Sequence, residues 1–259
     1  MKKRTKNILI TSGIAAAGIT VLSTVHRKTS KYFMNLAFDR DEPKKAEKEK
    51  KKISSSTKTS DTVTAVLEAA QKLENSPLET VEISGRDGVT LTGHWFYNEN
   101  AKRVIVAMHG WRSSWSQDFG IIAPFWQDND CAVLYAEQRG QGASGGDYMG
   151  FGLLERYDCL EWINWVNERT GGELPVYLGG ISMGATTVLM TGGLELPENV
   201  RGIVADCAFT SPRAIWKHVV ESNLHLPYGI YSSAANELCK KKIQEDADYS
   251  TADALQNCD

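Results

Sequence analysis

Gly180-Ile181-Ser182-Met183-Gly184 sits between two apolar stretches, Pro175-Val176-Tyr177-Leu178 and Ala185-Thr186-Thr187-Val188-Leu189-Met190. No other segment restricts so tightly what this chain can fold into. A strand that must turn into a helix within five residues leaves no room for side chains at the flanking positions, so glycine is needed there. The serine at the apex then projects its hydroxyl outward, at a helix amino terminus that favours developing negative charge. The pentapeptide alone would turn up in roughly one random chain in ten of this length. Its position between an apolar run and a helix-forming run is what makes it a nucleophile elbow. Ser182 is therefore the candidate nucleophile, with Gly180 and Gly184 as the elbow glycines.

The surrounding pattern agrees with an α/β fold. Leu78–Ser84 and Thr90–Tyr97 read as strands around a Gly85-Arg86-Asp87-Gly88 turn, hence a hairpin. Arg103–Met108, Ala132–Ala136, Val176–Gly179 and Val200–Ala205 are short continuous apolar runs, as strands covered on both faces should be. Between and after them Leu153–Asn167, Ala185–Gly192 and Pro212–Asn223 carry helical spacing. Strands alternating with helices predict a mostly parallel sheet, with ligands at the carboxyl ends of the strands. Ahead of the hairpin, Val63, Val66, Leu67, Ala70 and Leu73 repeat at helical spacing behind Ser60 and Asp61 as caps.

His109-Gly110-Trp111 follows the apolar run Arg103–Met108. A loop there supplies one N–H of an oxyanion hole, and the residue after the nucleophile supplies the other. The expected donors are the main chains of Trp111 and Met183, with Gly110 as the loop glycine. His109 is expected to shape this loop rather than to act as base. Trp111, Trp115 and Phe119 either wall an acyl pocket or pack in the core.

These residues resemble the α/β-hydrolase superfamily, in its bacterial esterase-like and serine-aminopeptidase-like branch, whose members often carry an amino-terminal membrane segment. The matching pieces are His109-Gly110-Trp111, the run Glu137-Gln138-Arg139-Gly140-Gln141-Gly142-Ala143-Ser144-Gly145-Gly146, the Ser182 elbow, and Ala205-Asp206-Cys207-Ala208-Phe209-Thr210-Ser211. The Arg-Gly-x-Gly-x-Ser segment lacks the lysine of a phosphate-binding loop. The resemblance implies a serine hydrolase that cleaves a small ester, amide or peptide through an acyl-serine, without cofactor or metal. It also implies a cap over about residues 212–248 and an acid and a histidine further along, beyond the approach to a strand at Tyr249–Cys258. On that basis the hydrolase domain, 61–259, is expected to be incomplete, without its last strands. Asp206 and His225 are then the substitute acid and base, and His218 is the other downstream histidine. The other readings are a binding remnant without turnover and an unstable fragment. Without its next strand, Val200–Ala205 becomes an apolar edge.

The ends carry separate expectations. Lys2, Lys3, Arg4 and Lys6 precede an uncharged run from Ile8 to Val25, long enough to cross a bilayer. Residues 1–30 are thus expected as a single-pass membrane anchor with the domain outside, or else as a cleaved signal that leaves the protein secreted. Residues 31–60 read as a charged linker, with six lysines between Lys44 and Lys52 that either meet anionic lipid or are simply solvated. Five cysteines without a Cys-x-x-Cys pair do not suggest a disulfide framework or zinc site. The net charge of −3 favours no particular partner, and no nucleic-acid partner is expected.

Overall fold

The computed structural model describes residues 28–29, 31–32, 35–41, 60–223, 225–256 and 258. Six strands form one sheet in the order β1-β2-β4-β3-β5-β6. They are β1 (Glu79–Ser84), β2 (Thr90–Phe96), β3 (Arg103–Met108), β4 (Cys131–Ala136), β5 (Val176–Ile181) and β6 (Val200–Asp206). The hairpin β1–β2 and the β2–β4 pair are antiparallel, whereas β3 pairs in parallel with β4 and β5, and β5 with β6. The hairpin closes as its sequence requires: Gly85 N–H donates to Val89 O at 2.7 Å, and Gly88 takes φ +81°, which a side chain would oppose. The six expected strands are all present, and the sheet is mostly parallel.

The helices are α1 (Asp61–Glu74), α2 (Trp115–Phe119), α3 (Ala123–Asp128), α4 (Glu155–Thr170), α5 (Met183–Thr191), α6 (Pro212–His218), α7 (Tyr228–Lys242) and α8 (Thr251–Leu255). Ser60 caps α1 by accepting from Val63 N–H. Only part of the expected apolar stripe of α1 is used: Ala70 and Leu73 are buried, while Val63 and Leu67 stay exposed. Ala69 and Ala70 lie so close to Gly120 that a Cβ there would meet their backbone at 2.7 Å.

The main core lies between the sheet and α4–α5, and is built from Leu91, Trp95, Val104, Val106, Met108, Leu134, Trp162, Ile163, Leu178 and Val188. A second cluster gathers Phe151, Trp216, Tyr228, Tyr231, Leu238 and Ile243 beneath α6 and α7, the segment expected as the cap. Phe38 joins it with no exposed surface, so part of the stretch expected as linker is packed against the domain.

Three expectations change. The helix expected over Pro212–Asn223 is α6 followed by a π-helical turn, Val219–Asn223. Tyr249–Cys258, expected as the approach to a strand, instead contains α8, because Ser250 Oγ accepts from Asp253 N–H and starts a helical turn. Residues 8–25, expected as a membrane span, lie outside the described residues, and among the described residues no helix is long and apolar enough to cross a membrane. The expected anchor and the membrane localisation built on it are therefore withdrawn.

Candidate active site

Ser182 occupies the turn between β5 and α5 with φ +54° and ψ −111°, a backbone conformation that L residues rarely adopt. What holds it there is close backbone approach on either side. A Cβ on Gly180 would lie 2.3 Å from Gly184 O, and one on Gly184 would lie 1.8 Å from Met108 O. The elbow is thus clamped onto the end of β3, and only glycine fits at 180 and 184. Two main-chain bonds complete it: Ser182 N–H donates to Asp206 O at 2.9 Å, and Thr186 N–H donates to Ser182 O at 3.1 Å. Met183 follows as the first residue of α5, where a helix has no carbonyl of its own for the N–H.

The loop after β3 abuts the serine. A Cβ on Gly110 would sit 3.4 Å from Ser182 Cβ. Asp118, on α2, accepts from Gly110 N–H at 2.6 Å and from Ser113 Oγ at 2.6 Å. Gln141 Oε1 accepts from Arg112 N–H at 2.5 Å, and Ser113 N–H donates to Gly110 O at 3.3 Å. The donors at 110, 112 and 113 are thus consumed within the protein, while no hydrogen bond of the Trp111 N–H is found among the described residues. The indole of Trp111 donates to Ala37 O at 3.0 Å and the ring is 39% exposed, whereas Trp115 and Phe119 are buried core residues.

His109 is buried with both ring nitrogens engaged. Gln138 N–H donates to Nε2 at 3.1 Å, so Nδ1 carries the proton and donates to Gly110 O at 2.8 Å. Burial holds this imidazole below its usual pKa, against the pull of the Gly110 carbonyl and the charges of Asp118 and Glu137. Gln138 also donates from its side chain to His109 O and accepts from Thr187 Oγ1 at 3.0 Å, tying the ends of β3 and β4 to α5. His109 is a neutral bracket of the loop, as its sequence position suggests.

The 137–146 run is similarly braced. Arg139, buried, is bidentate to buried Asp158, with Nε–Oδ2 at 2.6 Å and Nη2–Oδ1 at 2.5 Å, and also reaches Asp87 at 2.8 Å. Burial raises the Asp158 carboxyl to about 6, opposed by Arg139. Glu137 takes His94 Nε2 at 2.7 Å while that ring stacks on Trp115 at 4.1 Å.

The remaining site candidates lie apart in their contacts. The side chain of Asp206 is exposed beside the elbow, in a groove it shares with Asp118, Gly180 and Ile181. His218 is exposed on α6 and faces Ser222 Oγ at 3.4 Å, and His225 is exposed with φ +52°. Among the described residues no hydrogen bond joins either histidine to Ser182 or Asp206, and no cluster of three or more His, Cys, Asp or Glu could hold a metal ion. Sequence reasoning passed over Asp118, Gln138 and Gln141. Asp118 lies on a five-residue helix too short to show a period, and the other two reveal their roles only through partners distant in the chain.

Residues 99–254 match the hydrolase family described as serine aminopeptidase, S33. The chain belongs to that family. The likeness of this S33-type chain to solved structures extends to the Pyrococcus furiosus esterase Pf2001, with a TM-score of 0.56 and 22% identity over 72% of this chain and 68% of that one. An alpha-beta hydrolase from Vibrio vulnificus gives a TM-score of 0.53 and 21% identity over 77% of this chain and 66% of that one. At these identities the likeness is one of fold, and the fold is that of the α/β-hydrolases. The protein YqkD of Bacillus subtilis (strain 168), itself described as uncharacterized, is 30% identical over 77 residues, which span 30% of this chain and 25% of that protein's length.

Proposed function

We propose that the chain is a serine hydrolase acting on a small carboxylic ester, amide or peptide, with Ser182 as nucleophile. The observation that carries this reading is the conformation of Ser182: φ +54° at a non-glycine residue, enforced by backbone contacts that exclude any side chain at 180 and 184. Strain of this kind is kept where it serves a site. In the proposed reaction the serine oxygen attacks the substrate carbonyl carbon, and its proton passes to a base. The resulting oxyanion lies between the N–H groups of Trp111 and Met183. The carbonyl re-forms as the C–O or C–N bond to the leaving group breaks, and the alcohol or amine departs with the proton. Water then adds to the acyl-serine, releasing the acid and restoring the hydroxyl. Gly110 lets the loop approach the serine, and Asp118 holds that loop from behind. The base is a group other than His109, because His109 is engaged on both nitrogens.

That last point favours a second reading, a site that binds acyl compounds with little turnover. Without a base the hydroxyl keeps its ordinary weak nucleophilicity, and the oxyanion donors alone supply only a residual rate. Labelling with an alkyl fluorophosphonate separates the two. The hydrolase reading expects stoichiometric modification of Ser182, abolished in Ser182→Ala. Folded protein that stays unlabelled, yet binds a boronic acid or ester reversibly, decides for the second.

A further inference from the structure

Residues 35–41 belong to no strand and lie far in sequence from the site, yet their contacts run to three elements that border it. Residues 35–38 form a helical turn, closed by Asp39 N–H to Asn35 O at 2.8 Å. Phe38 inserts fully into the cap cluster, edge-on to Trp216 at 5.0 Å and to Phe151 at 5.7 Å. Its carbonyl accepts from Met149 N–H at 2.8 Å, and Arg40 N–H donates to Asp147 O at 2.9 Å. The Arg40 guanidinium then reaches Gly142 O at 2.6 Å and Ser144 O at 2.5 Å on the loop after β4. From α7, Lys242 pairs with Asp39 and donates to Asn35 Oδ1 at 3.2 Å.

The third set of contacts falls on the loop after β3. Arg112 donates to Leu36 O at 3.0 Å, Asp39 O at 2.6 Å and Arg40 O at 3.2 Å, filling the orphan carbonyls at the end of that helical turn. Trp111 donates from its indole to Ala37 O. Arg112 has φ +51°, a conformation an arginine keeps only when its surroundings impose it. Residues 111 and 112 are therefore gripped from both sides: Asp118 and Gln141 hold main-chain N–H groups from the domain, and residues 35–41 hold both side chains. The N–H left between these grips is that of Trp111.

We infer that residues 35–41 are a strap that positions the oxyanion loop, with Arg112 as its buckle, so that the Trp111 N–H is aimed only while the strap is docked. The inference rests on the Ser182 reading above for its catalytic meaning. Because Lys242 and Phe38 tie the same strap to the cap, movement of the cap is transmitted to the oxyanion donor. Arg112, Phe38 and Arg40 are positioning residues, since each acts through the Trp111 N–H.

The test uses the full chain in four forms: wild type, Phe38→Ala, Phe38→Leu and Arg112→Lys. Two quantities are measured for each, the kinetics of Ser182 labelling by an alkyl fluorophosphonate and hydrogen exchange at the amides of residues 110–113. Misaligning one donor by an ångström lowers the maximal labelling rate by about tenfold or more. That loss is expected in Phe38→Ala and Arg112→Lys, with the reversible binding constant of the reagent little changed and most of the rate restored in Phe38→Leu. Exchange at the hydrogen-bonded amides of residues 110, 112 and 113 is expected to accelerate in the same two variants. Unchanged rate and unchanged exchange in a folded Arg112→Lys protein overturn the strap, even if Phe38→Ala does not fold. If wild type itself is not labelled, the nucleophile assignment fails separately, and exchange at residues 110, 112 and 113 decides whether the strap positions the loop.

Discussion

Strands β3 and β6 lie two places apart in one sheet and have similar apolar sequences, Arg-Val-Ile-Val-Ala-Met and Val-Arg-Gly-Ile-Val-Ala-Asp. Every residue of β3 after Arg103 is buried, and no residue of β6 is. The cause is their neighbours. β3 is flanked by β4 and β5 and covered by helices on both faces, so its carboxyl end is a rigid wall against which the elbow and the loop at Gly110 are built. Among the described residues β6 pairs on one side only, with β5, and its Val204 is 69% exposed. Beside it a groove of about 410 Å³, lined by Ile121, Ile122, Trp126, Tyr177 and Val204, opens along the α2–α3 face. The same kind of sequence therefore makes a precise site at one place and an open apolar edge at the other.

Glycine substitutions give the sharpest contrast between the two. In Gly184→Ala the new methyl meets the carbonyls of Met108 and His109 at 1.8 and 2.7 Å, and backbone cannot step aside. The expected cost is about 3 kcal/mol or more. In Gly202→Ala, on β6, the methyl meets only the Tyr177 ring at 3.3 Å, and the lost flexibility of the unfolded chain works in its favour. Its effect is expected within about 1 kcal/mol of zero. Urea unfolding of both variants checks this, and equal losses would mean that the end of β3 is no more rigid than the edge.

The difference between these strands also marks how much could be read from the chain alone. Four strands were legible as continuous apolar runs, β1 and β2 as the arms of a hairpin around Gly85–Gly88, and the elbow by its glycines. The expected oxyanion donors follow from where the loop leaves β3. The neighbours of a strand are a property of the whole fold, and the sequence of α2, α3 or α8 is too short for a helical period to stand out. The strap was invisible for the same reason. Phe38 is one aromatic residue beside a charged stretch, and only the aromatic cluster beneath α6 and α7 shows why it is buried. The apolar run at Ile8–Val25 lies outside the described residues, and no described helix supports the span that its hydropathy suggested.

The buried end of β3 should also leave a mark on the pH dependence of stability. His109 is held neutral by burial, with its folded pKa below the ordinary 6.5. Above that value the folded and unfolded states are both unprotonated at this site, and the full stability is present. As pH falls below about 6.5 the unfolded chain takes up a proton that the folded one refuses, so stability declines by up to about 1.4 kcal/mol per pH unit. The decline ends once the folded pKa is passed. His109→Gln is expected to lower stability at neutral pH, because the bonds to Gly110 and Gln138 change, and to flatten the slope below pH 6.5. Denaturant midpoints at several pH values measure this, and an unaltered slope would show that the acid sensitivity arises elsewhere.

The smallest expected change in stability belongs to the open edge. Val204 already lies in water, so Val204→Lys should alter the unfolding free energy by no more than about 0.5 kcal/mol. Its effect lies in association. A strand with one unpaired side and apolar side chains is a template for another chain, and an edge lysine blunts it by charge and by the cost of desolvation. Light scattering over a concentration series should therefore show weaker self-association in Val204→Lys than in wild type, at unchanged stability. A substantial loss of stability instead would mean that Val204 is covered in solution, and the contrast with β3 would then be one of partners rather than of exposure.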